Sequence, residues 1–152
     1  MTYRRVPIGG WSKCVHEAAA FESEGEYAAA LIMDQSSVVE WWLRNDPPLF
    51  RIPTPISYFE PDFLYLARRE ETSWYGILEV KGDIFWDGPG SDPRVKAAAG
   101  CEWVRAVNRT VPTQSWELAV VIDQDAIASS SLEQLLHDAV FRCSASEGDD
   151  HA

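Results

Sequence analysis

The chain has 152 residues, 46% hydrophobic and 24% charged, which is room for one core and little more. Seven Trp exclude a disordered polymer, and no apolar run approaches the roughly 18 residues of a membrane span. The net charge of −11 taken alone argues against a nucleic-acid binder, but the charge is uneven: −3 over residues 1–43, −1 over the Arg-rich 44–109 and −7 over 110–152. Any nucleic-acid site therefore belongs in the middle third, because phosphate binding leaves a basic footprint.

The opening Met1-Thr2-Tyr3-Arg4-Arg5-Val6-Pro7 has no apolar stretch behind its basic residues, so no signal peptide is expected, and the protein reads as soluble and cytoplasmic. The first dozen residues read as an irregular lead-in. Ser23 and Glu26 have capping-box spacing and predict a helix over Glu24 to Asp34. Val38 to Leu43 is bulky and β-favouring and predicts a strand, ended by Asn45-Asp46-Pro47-Pro48. Leu49 to Ile52 is a further short strand candidate. Asp62 to Leu66 and Tyr75 to Lys81 predict a hairpin around the polar Arg68 to Thr72, and Gly88-Pro89-Gly90 marks a loop.

Asp92-Pro93 predicts a helix start, Asp as N-cap and Pro in the first turn, with the helix running to Asn108. Trp116 to Ile122 is nearly all apolar and reads as a strand buried on both faces. Ser131 to Cys143 reads as a closing amphipathic helix with Leu132, Leu135, Leu136, Ala139 and Val140 inward. The strand–helix–strand unit from Tyr75 to Ile122 predicts a right-handed parallel crossover. The expectation is one α/β domain over residues 1–143, a mixed sheet flanked by helices, followed by a disordered acidic tail over 144–152. Cys14, Cys101 and Cys143 are too few and scattered for a disulfide framework. The three His have no zinc-ligand spacing, so all six are expected to be plain core or surface residues.

The hairpin carries the chemistry. Alternate residues of a strand share a face, so Tyr75, Ile77, Glu79 and Lys81 point one way and Gly76, Leu78 and Val80 the other. If Leu66 faces Tyr75, Asp62 falls opposite Glu79, with Cβ atoms roughly 4.5–5.5 Å apart. Two carboxylates at that distance repel unless a hard divalent cation joins them. With Lys81 beside them they make a triad suited to phosphodiester hydrolysis: the metal polarises the phosphate and activates water, while Lys81 orients or deprotonates that water or stabilises developing charge. The plain alternative is a solvated hairpin face with a Lys81 salt bridge.

Pro61-Asp62 followed by Glu79-Val80-Lys81 resembles the signature of the PD-(D/E)XK nuclease superfamily. Further segments fit in order: Phe21-Glu22-Ser23-Glu24-Gly25-Glu26, then Trp42 with Arg44-Asn45, Tyr58-Phe59-Glu60-Pro61-Asp62-Phe63-Leu64, and Leu78-Glu79-Val80-Lys81-Gly82. Lys96 to Trp103 and Val107-Asn108 complete the series. Over about residues 11 to 136 the chain resembles the C-terminal endonuclease domain of type III restriction enzyme Res subunits.

The resemblance implies a restriction-endonuclease-like fold with an αβββαβ core. It implies Mg²⁺, with Mn²⁺ as a substitute, held by Asp62, Glu79 and the carbonyl of Val80. Lys81 would be the catalytic lysine. Glu26 would be an extra acidic contact to metal or water, or only half of the capping box. Lys96 would touch a substrate phosphate, or be a plain surface lysine, and Arg68 and Arg69 would touch backbone phosphates or only water. Trp103 is a core residue or a base-stacking one. The implied activity is a DNA endonuclease in restriction or phage defence. No GxxxxGK[ST] phosphate loop is present, so a helicase or other partner would supply targeting, and a homodimer would allow double-strand cleavage. Alternatives are a transposon- or repair-type nuclease of the same superfamily and a non-catalytic docking domain.

Overall fold

The computed structural model describes residues 6–86 and 91–144. The 88–90 loop expectation and residues 145–152 of the expected tail lie outside them. The lead-in is not wholly irregular: β1 (Ile8–Gly9) pairs antiparallel with β2 (Ala18–Ala19). α1 (Glu24–Gln35) starts where the capping box places it, with Ser23 Oγ accepting the Glu26 N–H at 3.1 Å. β3 (Val39–Arg44) follows. The short strand expected over 49–52 is displaced: β4 (Ile52–Pro53) pairs with β5 (Tyr58–Phe59). The reason is that the N–H groups of Leu49 and Phe50 donate to the Asn45 side chain, each at 3.1 Å, and are taken from any ladder.

β6 (Phe63–Arg69) and β7 (Thr72–Lys81) form the hairpin in the expected register, with Leu66 facing Tyr75. Glu70 at the turn sits in the left-handed region with φ 56°. α2 (Asp83–Trp86) and α3 (Asp92–Thr110) cross over to β8 (Trp116–Ile122), which lies parallel to β7 as the crossover predicts. The cap position of α3 is Ser91 rather than Asp92, and Pro93 is in the first turn.

The closing segment differs from the reading of one helix. α4 (Asp123–Ala128) directly follows β8, α5 spans only Leu132–His137, and β9 (Phe141–Ser144) returns antiparallel to β8. Leu132, Leu135 and Leu136 are buried as expected, but Val140 is exposed. After Asp138 the apolar period changes from helical to alternating: Phe141 and Cys143 pack with the α3 cluster while Arg142 between them pairs with Glu117. Ser144 belongs to this strand rather than to a tail.

The central sheet has the order β3-β6-β7-β8-β9. One face carries Tyr65, Leu78, Val80 and Val121 and is covered by α1, α4 and α5. The other carries Ile77, Leu118, Val120 and Ile122 and is covered by α3 through Ala97, Cys101 and Val104. This is a restriction-endonuclease-like mixed sheet between helical layers. Cys101 and Cys143 form a disulfide joining α3 to β9, which corrects the expectation that both are plain core or surface residues. Their 42-residue separation hides the pairing, because only the crossover brings α3 over β9. Gly25 is set by packing: a Cβ there would stand 2.0 Å from Asp123 Oδ1, so α1 meets the start of α4 only without a side chain. Among the described residues no helix is long and apolar enough to cross a membrane.

Candidate active site

Asp62 lies one step beyond the last paired residues of the hairpin, Phe63 and Leu78, which brings it beside Glu79. The two are interlocked through the main chain. The Asp62 N–H donates to Glu79 Oε1 at 2.9 Å, and the Val80 N–H donates to Asp62 Oδ2 at 2.9 Å. Glu79 Oε2 meets Lys81 Nζ at 3.0 Å, so the triad is gathered at one sheet end. Glu79 is 5% exposed, whereas the Lys81 side chain reaches solvent.

Glu26 joins from α1 through a residue whose role the sequence did not disclose. Arg44, at the end of β3, is buried and forked. Its Nη2 meets Glu26 Oε1 at 3.0 Å, and its Nη1 meets Asp62 Oδ1 at 3.3 Å and the Asp62 carbonyl at 3.0 Å. Its Nε donates to the Ala20 carbonyl at 3.1 Å, and the guanidinium lies over the Phe63 ring at 5.5 Å. A signal existed: Trp42 and Arg44 share a face of β3, and Trp42 is core, so Arg44 is in phase with the interior. Glu26 also accepts the Glu22 N–H at 2.9 Å, so it serves the helix start and the site together.

Asn45 fixes the approach to Asp62. Its main-chain N–H donates to the Asp62 carbonyl at 2.8 Å. Its side-chain amide donates to the carbonyls of Phe50 at 2.8 Å and Pro61 at 3.0 Å. With the two N–H groups it accepts, the capacity of this buried amide is used in full.

The electrostatics show a site short of positive charge. Burial and the Asp62 charge push the Glu26 carboxyl up to about 7, despite Arg44. Burial and Asp62 likewise hold Glu79 well above the ordinary carboxylate range, against the opposing pull of Lys81. Burial would lower Lys81, but Glu79, Asp62 and Glu26 outweigh it and raise its pKa. Two close carboxylates of this kind are hard oxygen donors. Among the described residues no three His, Cys, Asp or Glu side chains form a metal cage. A cation here would therefore take few protein ligands and keep water and substrate on its other sites, the habit of Mg²⁺.

Lys96 is also brought close: it lines one indentation with Glu79, Lys81, Trp86 and Pro93. Arg68 and Arg69 are not brought close. They stand at the other end of the hairpin, about 20 Å along the strand from Asp62. Arg68 pairs with Glu40 at 2.9 Å and Arg69 with Glu133. Trp103 is half-buried and meets Phe50 and Trp116 edge-on at 5.2 and 5.0 Å, so it packs in an aromatic cluster.

A family model described as "Endonuclease domain" matches residues 12–115, a span that holds Glu26, Arg44, Asp62, Glu79, Lys81 and Lys96. No curated protein and no solved structure matches the chain.

Proposed function

The chain belongs to this endonuclease-domain family, and from that premise we propose that it is a divalent-metal-dependent endonuclease that hydrolyses DNA phosphodiester bonds at the Asp62–Glu79–Lys81 end of the hairpin. The observation that carries the reading is the interlock of Asp62 with Glu79, two carboxylates held together at a sheet end with an ammonium beside them. Asp62, Glu79 and the Val80 carbonyl would hold Mg²⁺, or Mn²⁺ in its place. When bound, the ion supplies charge neutralisation at the phosphate and a more acidic water.

The rest is done by the chain. The backbone hydrogen bonds of Asp62 and Val80 fix the carboxylates, so they need not reorganise during reaction. Lys81 orients the attacking water and faces the charge that develops on the phosphate. Lys96 touches the phosphate from α3. Glu26, fixed by Arg44, contacts metal or water at the back of the site. Restriction or phage defence is the setting we propose. A helicase or other ATPase partner would supply targeting, and a homodimer would cut both strands. The net charge of −11 supports dependence on a second, basic module.

The test is plasmid nicking with Mg²⁺, Mn²⁺ or EDTA, using wild type beside Asp62→Asn and Lys81→Met. Metal-dependent nicking lost in both variants supports the reading. Nicking that survives in both overturns the site assignment.

A further inference from the structure

We propose that one flank of α3 is the track on which the substrate's sugar–phosphate backbone lies, with Arg94, Arg105 and Arg109 as its phosphate contacts. The proposal rests on the nuclease reading and adds to it where the nucleic acid runs. It starts from the disposition of charge. Among the described residues Arg44, Arg51, Arg68, Arg69, Lys81 and Arg142 are each paired with a carboxylate. Lys13 stands beside Asp34 and donates to the Ser36 carbonyl. Among the described residues, the Arg and Lys left without a carboxylate are Arg94, Lys96, Arg105 and Arg109, and all four are on α3.

The helix arranges them. At 100° per residue Arg94, Arg105 and Arg109 fall within about 60° of one another, on a flank of the buried face formed by Ala97, Gly100, Cys101 and Val104. They span about 22 Å along the axis, the rise of about six nucleotides of one strand. Lys96 lies on the other flank, towards Glu79 and Lys81.

The stripe leads to the site. Arg94 lies over the Trp86 ring at 4.9 Å and donates from Nε to the Trp86 carbonyl at 2.6 Å. Trp86 itself lines the indentation shared by Glu79, Lys81 and Lys96. A strand running from Arg109 to Arg94 therefore arrives at the reacting groups. Arg105 is half-buried and meets no carboxylate among the described residues, and its enclosed Nε meets no acceptor there. Arg109 has a second role, as a cation in the last turn of the helix. Glu102 borders the stripe on the same helix and opposes an anion there.

The experiment measures binding of a short fluorescein-labelled DNA, single- and double-stranded, by anisotropy across a salt series in Ca²⁺ without Mg²⁺. The proteins are wild type, Arg105→Gln/Arg109→Gln, Arg68→Gln/Arg69→Gln and Glu102→Gln, each checked for fold by circular dichroism. The α3 double variant is expected to bind about tenfold more weakly, whatever the DNA sequence, with a salt slope smaller by about 2. The hairpin double variant should match wild type, and Glu102→Gln should bind more tightly. An α3 double variant that keeps the wild-type slope overturns the track, as does a wild type with no salt-dependent binding. A folded α3 variant with no measurable binding supports the track when Glu102→Gln binds more tightly than wild type, and a Glu102→Gln that binds no more tightly overturns it. Nicking lost on Asp62→Asn but kept at saturating DNA in the α3 variant leaves the nuclease reading standing independently.

Discussion

Arg44 is the residue whose removal the structure prices most clearly. In Arg44→Met the apolar volume is kept, but Glu26 and Asp62, whose side chains are 8% and 15% exposed, lose their shared guanidinium. Breaking a buried pair by removing one partner costs about 3–5 kcal/mol, since a charge is left uncompensated. That loss applies at pH 8, where Glu26 is ionised in wild type, and any proton the variant's Glu26 takes up reduces it. At pH 5 Glu26, already raised to about 7 with Arg44 present, takes up a proton and its own buried charge disappears, while Asp62 still lacks its guanidinium. What then remains is the loss of the Asp62 side-chain contact and of the hydrogen bonds to the Ala20 and Asp62 carbonyls, about 1–3 kcal/mol. Urea denaturation at the two pH values reads both numbers. Adding Glu26→Leu should recover a large part of the pH 8 loss, because an apolar replacement of both partners is often neutral. An Arg44→Met cost below about 1 kcal/mol at pH 8, or one equal at both pH values, would refute the argument.

Three other outcomes follow from the same geometry. Glu79→Gln and Lys81→Met should each lower cleavage by about a thousandfold or more while leaving the circular dichroism spectrum unchanged, because several kcal/mol of transition-state stabilisation sits on these groups. In wild type without metal, the raised pKa of Glu26 contributes stability that is complete below the unfolded value of 4.5 and lost as pH rises through about 7. Thermal unfolding in EDTA should therefore show a falling Tm across that window, and added Mn²⁺ should flatten it with release of protons. Gly25→Ala must displace Asp123, whose main-chain Cα would stand 2.9 Å from the new methyl, at a cost of about 1–3 kcal/mol readable by urea denaturation.

The hairpin was legible in the sequence because two strand-forming runs flank a short polar loop, and symmetry about that loop sets the register to within the one residue that matters. Leu66 does face Tyr75, and Asp62 does reach Glu79. α1 was legible from its cap. The closing segment was not, since Leu132, Leu135 and Leu136 set a helical period that Phe141 and Cys143 then break within a few residues. Short-range pattern put Arg44 in phase with the interior but did not name its partners across the fold. Arg44 reaches Glu26 and Asp62 from a third element, and Cys101 meets Cys143 only after the crossover is in place. Arg68 and Arg69, read from their place in the hairpin loop as contacts to phosphate or only to water, each have an acidic neighbour supplied by another strand or helix.

On the proposed function, the Asp62–Glu79 pair holds a divalent cation. The most direct measurement is anomalous diffraction from crystals soaked in Mn²⁺. A Mn²⁺ peak is expected between the carboxylates of Asp62 and Glu79, beside the Val80 carbonyl and within reach of Lys81. A well-ordered site with no peak there at high Mn²⁺, its carboxylates still held by Arg44 and Lys81 alone, would contradict it.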